Sequence, residues 1–261
     1  MSLLTVEKLT KSFGGLMAVS SASFYIEKGE LVGLIGANGA GKTTLFNLLT
    51  GVYVPNSGSI RLDTGEYVKE IGGLKTYNVA KTGLARTFQN IRLFKDLTVL
   101  DNVRIAMHLN VGYNLWSAFT HKGKFAKEEE RLCAEADKLL EIFNLSHKKD
   151  ELAKNLPYGD QRHLEIARAL ATKPVLLLLD EPAAGMNPNE TAALADIISR
   201  IRSEFKLTIL LIEHDMSLVM KICERIYVLD YGTVIASGLP EEIRNDKRVI
   251  EAYLGEDISN A

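Results

Sequence analysis

The stretch "GANGAGKT", Gly36 to Thr43, spaces three glycines, a lysine and a threonine as a phosphate cradle requires. Glycines at 36, 39 and 41 let the backbone curl, so that the N–H groups of Ala37, Asn38, Ala40 and their neighbours face one point. A helix starting at "KTTLF" would add the positive end of its dipole. Lys42 can reach the outer phosphates of a nucleoside triphosphate as a point charge, the Thr43 hydroxyl can ligate Mg2+, and Thr44 belongs to the same first turn. The chemistry this predicts is phosphoryl transfer.

Hydrolysis also needs acidic groups beside the metal. The run "VLLLLDEP" supplies Asp180, expected to hold Mg2+ through water, and Glu181, placed to polarise an attacking water as general base, an effect worth ~10²–10⁴-fold in rate. The run "LTILLIEHD" places His214 at the end of its strand, where an imidazole would contact the terminal phosphate and orient Glu181. In "ARTFQN", Gln89 offers a neutral amide that would sense metal and water. Taken singly these are also an ordinary strand end, a structural histidine and a surface glutamine; their placement around the glycine loop gives them weight.

These groups must be held by strands that end at one edge. "LVGLIG", "VLLLLD" and "LTILLI" are short apolar runs of buried-strand length, each followed by a turn or helix. "TVEKL" and "ASFYIE" read as earlier strands, "GSIRLD" with "EYVKEI" as a peripheral hairpin or strand pair, and "IYVLDYGTVIASG" as a hairpin around Tyr231 and Gly232. From Leu97 to Thr172 the period is helical, with Leu132, Ala136, Leu139, Leu140 and Phe143 on one face. The predicted fold class is α/β. Residues 1–88 and 172–237 would form a nucleotide-binding core, about 89–171 an inserted helical subdomain, and 238–261 a C-terminal helical tail.

Bulk properties exclude several classes. With 261 residues, 46% hydrophobic and 25% charged, the chain can bury a large core. A net charge of −2 leaves no electrostatic footprint for a nucleic-acid partner. The most apolar runs are far short of the roughly 18 to 20 residues that cross a bilayer, and charges at Glu7, Lys8 and Lys11 argue against a signal peptide. Cys133 and Cys223 lack metal-ligand spacing and fit a reducing compartment.

The ordered set "KSFGG", "GANGAGKT", "TFQN", "LPYGDQRHLEIARAL", "LLLLDEPAAGMNP" and "IEHD" resembles the ATP-binding-cassette (ABC) ATPases over essentially the full chain. The resemblance implies a P-loop ATPase core with an N-terminal antiparallel β subdomain and an inserted helical signature subdomain, binding ATP and Mg2+. It implies that Phe13 stacks on adenine, although a core phenylalanine is the other reading, and that Gln89 joins Thr43 and Asp180 at the metal. The signature residues Pro157, Tyr158, Gly159, Asp160 and Gln161 would act in trans, at the nucleotide of a second ATPase subunit, either a copy or a sister chain. The helix "DQRHLEIARAL" is expected to open after Gly159.

More narrowly, "TFQNIRLF", "YGDQRHLEIARAL", "EPAAGMNP" and the ending "GLPEEIRNDKRVIEAYLG" are similar to the ATPase subunits of branched-chain amino-acid importers, the LivG type. That implies a cytoplasmic chain on the inner face of the membrane, permease subunits as direct partners and an extracytoplasmic substrate-binding protein as an indirect one. Relatives with other cargo are urea or amide importers and the lipopolysaccharide-export ATPase; a soluble ABC ATPase is the further alternative. The permease would dock near Gln89 on Ile91, Leu93, Phe94 and Leu97, which otherwise pack the helical subdomain. The segment with Trp116, Lys122 and Lys124 would extend that surface or lie near lipid headgroups. Two positions depart from the family: Asn187 stands where an acid is expected, and Pro157 stands where serine is usual, removing a hydroxyl and a backbone donor.

Overall fold

The computed structural model describes residues 2–108 and 124–252, so Trp116 and Lys122 lie outside the described residues, as does the end of the tail. The chain divides into two compact units, one of residues 1–86 with 175–261 and the other of residues 87–174. The dividing points fall a few residues outside those read from the sequence, and the tail joins the first unit. Along the chain come β1 (Ser2–Phe13), β2 (Leu16–Glu27), β3 (Leu31–Ile35), α1 (Lys42–Leu49), β4 (Ser57–Asp63), β5 (Val68–Glu70), α2 (Thr76–Ala80) and β6 (Leu84–Arg86). The second unit follows with α3 (Val99–Met107), α4 (Lys124–Ile142) and α5 (Tyr158–Ala171). The first unit resumes with β7 (Leu176–Asp180), α6 (Pro188–Phe205), β8 (Thr208–Ile212), α7 (Met216–Ile222), β9 (Arg225–Asp230), β10 (Thr233–Gly238) and α8 (Pro240–Asn245).

In the first unit a six-stranded sheet has the order β10-β9-β3-β8-β7-β6, parallel throughout except for β10. Strands β3, β7 and β8 are buried at every position, which their unbroken apolar runs require, because only a sheet covered on both faces tolerates such strands. A separate antiparallel sheet, β2-β1-β4-β5, packs its inner residues Leu4, Val6, Leu9, Ile60 and Leu62 into the same hydrophobic core as Phe46 and Leu49 of α1. The β9–β10 hairpin turns on Tyr231 and Gly232, both with positive φ (42° and 78°), the geometry that matches the twist of paired strands.

The second unit is helical. Thr98 caps α3 by accepting from the Asp101 N–H at 3.0 Å. The face read from the α4 sequence, Leu132, Ala136, Leu139, Leu140 and Phe143, is buried, together with Val99, Val103 and Met107 of α3 and Leu164 and Ala167 of α5. The start of α5 corrects the sequence reading: the helix opens at Tyr158 with Pro157 as its N-cap (φ −53°, ψ 155°), and Gly159 lies inside its first turn. The proline ring presets φ for helix entry, and the first turn has no use for the N–H that proline lacks. The Gln161 N–H then donates to the Pro157 carbonyl at 3.0 Å.

The core of this unit holds a buried charge pair. Arg162 is 0% exposed; it donates to Glu165 Oε2 at 2.9 Å, to the Phe88 and Gln89 carbonyls at 2.6 and 2.8 Å, and to the Tyr158 hydroxyl at 3.2 Å. Glu165 also accepts the Arg92 N–H at 3.0 Å, and burial pushes its carboxyl above the usual range despite these donors. The pair thus ties the backbone from Phe88 to Arg92 onto α5. Removing the guanidinium takes the counter-charge from a buried carboxylate and a donor from two carbonyls, so Arg162→Ala should lower stability by about 3–5 kcal/mol in urea unfolding. A loss under 1 kcal/mol would show that the pair does not hold this loop.

Candidate nucleotide site

The parallel register brings the candidate residues to one edge. Leu34 on β3 pairs with Ile212 on β8, and Ile212 pairs with Asp180 on β7, so the chain leaves all three strands at one level. Ligands of open α/β sheets bind beyond these carboxyl ends. What emerges there is the loop from Gly36, the pair Asp180 and Glu181, and the pair Glu213 and His214.

The glycine loop is tight where it meets other backbone. A Cβ on Gly36 would stand 2.1 Å from the Leu229 carbonyl oxygen, and one on Gly41 (φ 102°) would stand 2.3 Å from that of Ala18. Gly41 is the N-cap of α1 and offers no side-chain cap, so the orphan N–H groups of the first turn are left to whatever sits at the helix end. Lys42 is buried, and its Nζ donates to the Gly36 and Ala37 carbonyls at 2.5 and 2.7 Å. An ammonium curled over a ring of amides is the arrangement that fits an anion, and the cradle therefore suits a triphosphate.

A cleft of about 310 Å3 opens over this loop. Phe13, Asn38, Gly39, Ala40, Gly41, Lys42, Thr43, Thr44, Glu181, His214 and Tyr231 line it. Phe13 is 42% exposed and meets Tyr53 edge-on with ring centroids 5.1 Å apart, so it is not the core phenylalanine of the alternative reading. Beside it Leu16 and Met17 are exposed as well. Glu181 adopts a left-handed φ of 47°, a conformation that costs a glutamate energy and gathers at functional sites. His214 Nε2 lies 2.7 Å from Glu181 Oε1. A carboxylate that is to act as a base must be ionised and then only accepts, which in that role would put the imidazole proton of this contact on Nε2.

Asp180 is buried behind the cleft and receives Arg86 NH2 at 2.6 Å. Arg86 is anchored in turn by Asn47 Oδ1 at 2.7 Å and by the Phe46 ring. The exposed Thr43 hydroxyl and the Asp180 carboxylate are hard oxygen ligands, which suits Mg2+; among the described residues no group of three His, Cys, Asp or Glu comes together to hold a metal.

The remaining candidates belong to the helical unit. Gln89 is exposed, and its carbonyl accepts from Arg162. Among the signature residues, Asp160 pairs with Lys148 at 2.5 Å, Gln161 Nε2 donates to the Leu156 carbonyl at 2.8 Å, and Tyr158 is 47% exposed. In the expected docking segment Ile91, Leu93 and Leu97 are half-buried and Phe94 is 49% exposed under Arg168. Asn187, read as a missing charge, is the N-cap of α6: Oδ1 accepts the Asn189 and Glu190 N–H groups, both at 3.0 Å, and Glu190 accepts the Asn187 N–H at 2.9 Å. Sequence reasoning passed over Arg86 and Glu213. The first stood inside the quoted "ARTFQN" and the second beside His214, the two signals that would have found them.

Comparison with known proteins agrees with this geometry. The pattern of the ABC transporter family matches residues 19–184, and that of the branched-chain amino acid ATP-binding cassette transporter matches residues 233–259. The chain is 47% identical to the high-affinity branched-chain amino acid transport ATP-binding protein LivG of Salmonella typhimurium and 47% identical to BraF of Pseudomonas aeruginosa, in each case over 97% of this chain and 98% of the relative. It is 37% identical to the lipopolysaccharide export system ATP-binding protein LptB of Haemophilus influenzae, over 98% of both chains. Among solved structures, the ADP conformation of an ATP-binding cassette of an ABC transporter superposes with a TM-score of 0.83 at 32% identity, covering 98% of this chain and 99% of that one. With the glycine cradle, the strand-end carboxylates and full-length similarity in agreement, this chain belongs to the ABC transporter family as an ATP-binding cassette.

Proposed function

We propose that the chain binds ATP with Mg2+ and hydrolyses it as the cytoplasmic ATPase subunit of an importer of branched-chain amino acids. The observation that carries the hydrolytic reading is the Glu181–His214 contact of 2.7 Å on the wall of a cleft floored by the glycine loop. In this reading Phe13, with Leu16 and Met17 beside it, offers the exposed apolar surface on which adenine stacks. Gly36 to Thr44 and the α1 N-terminus hold the phosphates, and Lys42 exchanges its two carbonyl partners for phosphate oxygens. Mg2+, held by Thr43 and Asp180, supplies charge neutralisation at the transferring phosphate. Glu181 takes a proton from the attacking water while His214 keeps the carboxylate aimed. For Gln89 as sensor of metal and water, the support is the family motif alone.

The cargo is assigned from the relatives. LivG and BraF, the more similar proteins at 47% identity, are transport proteins for branched-chain amino acids, whereas the lipopolysaccharide exporter stands at 37%. The match at 233–259 to the branched-chain type points the same way. No helix among the described residues is long and apolar enough to cross a membrane, and the proposal places the chain peripherally on the inner face, docked to permease subunits through Phe94 and its neighbours. A substrate-binding protein outside the membrane would deliver the amino acid. Two cassettes, copies or sisters, would close on ATP with the signature residues 157–161 of each at the nucleotide of the other.

Three outcomes test the assignment. Glu181→Gln should retain ATP binding, lose at least ~10²-fold in kcat and accumulate as an ATP-dependent dimer in gel filtration; turnover at the parent rate sinks the general-base role. Pro157→Ser should add an N-cap to α5, stabilising the chain by about 1 kcal/mol, and should raise ATPase activity in the assembled transporter. An unchanged rate there would show that helix-end backbone donors suffice. Finally, the chain should co-purify with permease subunits, and its deletion should abolish high-affinity uptake of labelled leucine; uptake unaffected by deletion removes the cargo assignment.

A further inference from the structure

Glu213 closes β8 and is only 3% exposed. Its carboxylate spans two segments of backbone. Oε1 accepts the Ala183 N–H at 2.7 Å, two residues past Glu181, while Oε2 accepts the His214 N–H at 3.0 Å and, more weakly, the Asp215 N–H at 3.5 Å. All three partners are donors, so the site calls for a group that accepts at both of its oxygens, which among side chains of this length means an ionised carboxylate. Burial pushes the Glu213 carboxyl upward and the neighbouring Glu181 adds to this, while the three N–H donors hold it down. A buried acid so placed is costly unless its hydrogen bonds are kept.

The two tied segments each carry one half of the hydrolytic pair. Glu181 is held at φ 47°, its N–H donates to the Ile212 carbonyl at 2.9 Å, and the Ala184 N–H returns to the Glu181 carbonyl at 3.2 Å. A left-handed glutamate persists only where its surroundings over-determine it. We propose that Glu213 is a positioning residue that clamps the turn after Glu181 to the backbone of His214, and so maintains the 2.7 Å contact between general base and imidazole. The clamp acts on the step after binding, because neither Glu213 nor Ala183 belongs to the lining of the cleft. This inference rests on the hydrolytic reading of Glu181.

Glu213→Gln tests it with the shape nearly unchanged. The amide presents an NH2 to one of the N–H donors, so one tether must fail. In the purified full-length chain, kcat should fall about tenfold or more while KM for ATP stays within about twofold, the signature of lost transition-state positioning. Hydrogen–deuterium exchange should quicken in the segment 182–186 and not across the sheet. Glu213→Asp, which keeps the charge and shortens the reach to Ala183, should show the same split and the same local exchange. An active parent chain with unchanged kcat and exchange in Glu213→Gln overturns the clamp and leaves the hydrolytic reading intact. A parent chain without ATPase activity overturns both. Failure of both variants to fold, or a loss confined to KM, assigns Glu213 to the core or to binding and overturns the clamp as well.

Discussion

The pairing of Leu34 with Ile212 and of Ile212 with Asp180 is the constraint on which the site depends. Parallel strands buried on both faces cannot slip by one residue without reversing which face each side chain serves. The apolar runs of β3, β7 and β8, each buried at every position, and the parallel hydrogen-bond ladders between them hold this register. Three loops distant in sequence are therefore delivered at one height. The left-handed backbone of Glu181 is tolerable because it follows directly from that ladder, its N–H continuing the bonding to β8. A cleft assembled from strand ends inherits the rigidity of the sheet.

Each compact unit also contains a buried arginine whose task is to complete a carboxylate. Arg86 meets Asp180 in the α/β unit, and Arg162 meets Glu165 in the helical one. Neither pair is a strong argument for stability in itself, since the cost of desolvating two ions offsets much of their attraction. What each provides is direction. Arg86, fixed by Asn47 and Phe46, presents Asp180 in one orientation next to the phosphate cradle. Arg162 and Glu165 fasten the backbone carbonyls of Phe88 and Gln89 and the N–H of Arg92 to the helix that begins at Tyr158. The fork geometry of a guanidinium, with several donors in one plane, suits a residue that must bind a carboxylate and two carbonyls together.

What was legible in the sequence follows from the range of the interactions involved. The glycine cradle is local: its spacing specifies the turn, and the lysine and threonine follow within the same motif. Asp180, Glu181 and His214 were legible because buried strands announce where they end. Arg86 and Glu213 were not, because their partners lie 94 and 30 residues away and nothing local marks a buried ion as paired. The start of α5 was misplaced for a different reason. In sequence Gly159 looks like the helix opener, whereas Pro157, with φ preset, does that work and leaves the glycine in the first turn. Asn187 lacks the charge of an acid, and its side-chain oxygen serves the cap of α6, a role an amide fills as well as an acid.

The charge balance of the cleft bears on the need for a second cassette. Among the described residues that line it, Lys42 is the one side chain with a permanent positive charge, while Glu181 adds a negative one. A triphosphate placed there would be under-compensated by side chains, leaving the rest to the Mg2+ of the proposed site and to fixed dipoles, from the N-terminus of α1 and its glycine loop. Those donors approach from one side only. In the proposed pair of cassettes, a helix end arriving from the second one would supply the other side without adding a counter-charge that must be desolvated, and α5 would be that helix. Its cap is a proline, with no side-chain hydrogen bond to the first-turn N–H groups, so no cap draws those donors inward. A serine there would place a hydroxyl next to the partner's phosphate but would also draw one of those donors back into the cap. In the proposed pair Pro157 would thus trade a hydroxyl contact for an undiverted set of backbone donors, and helix-end anion binding would be the part of the signature segment that it leaves in place.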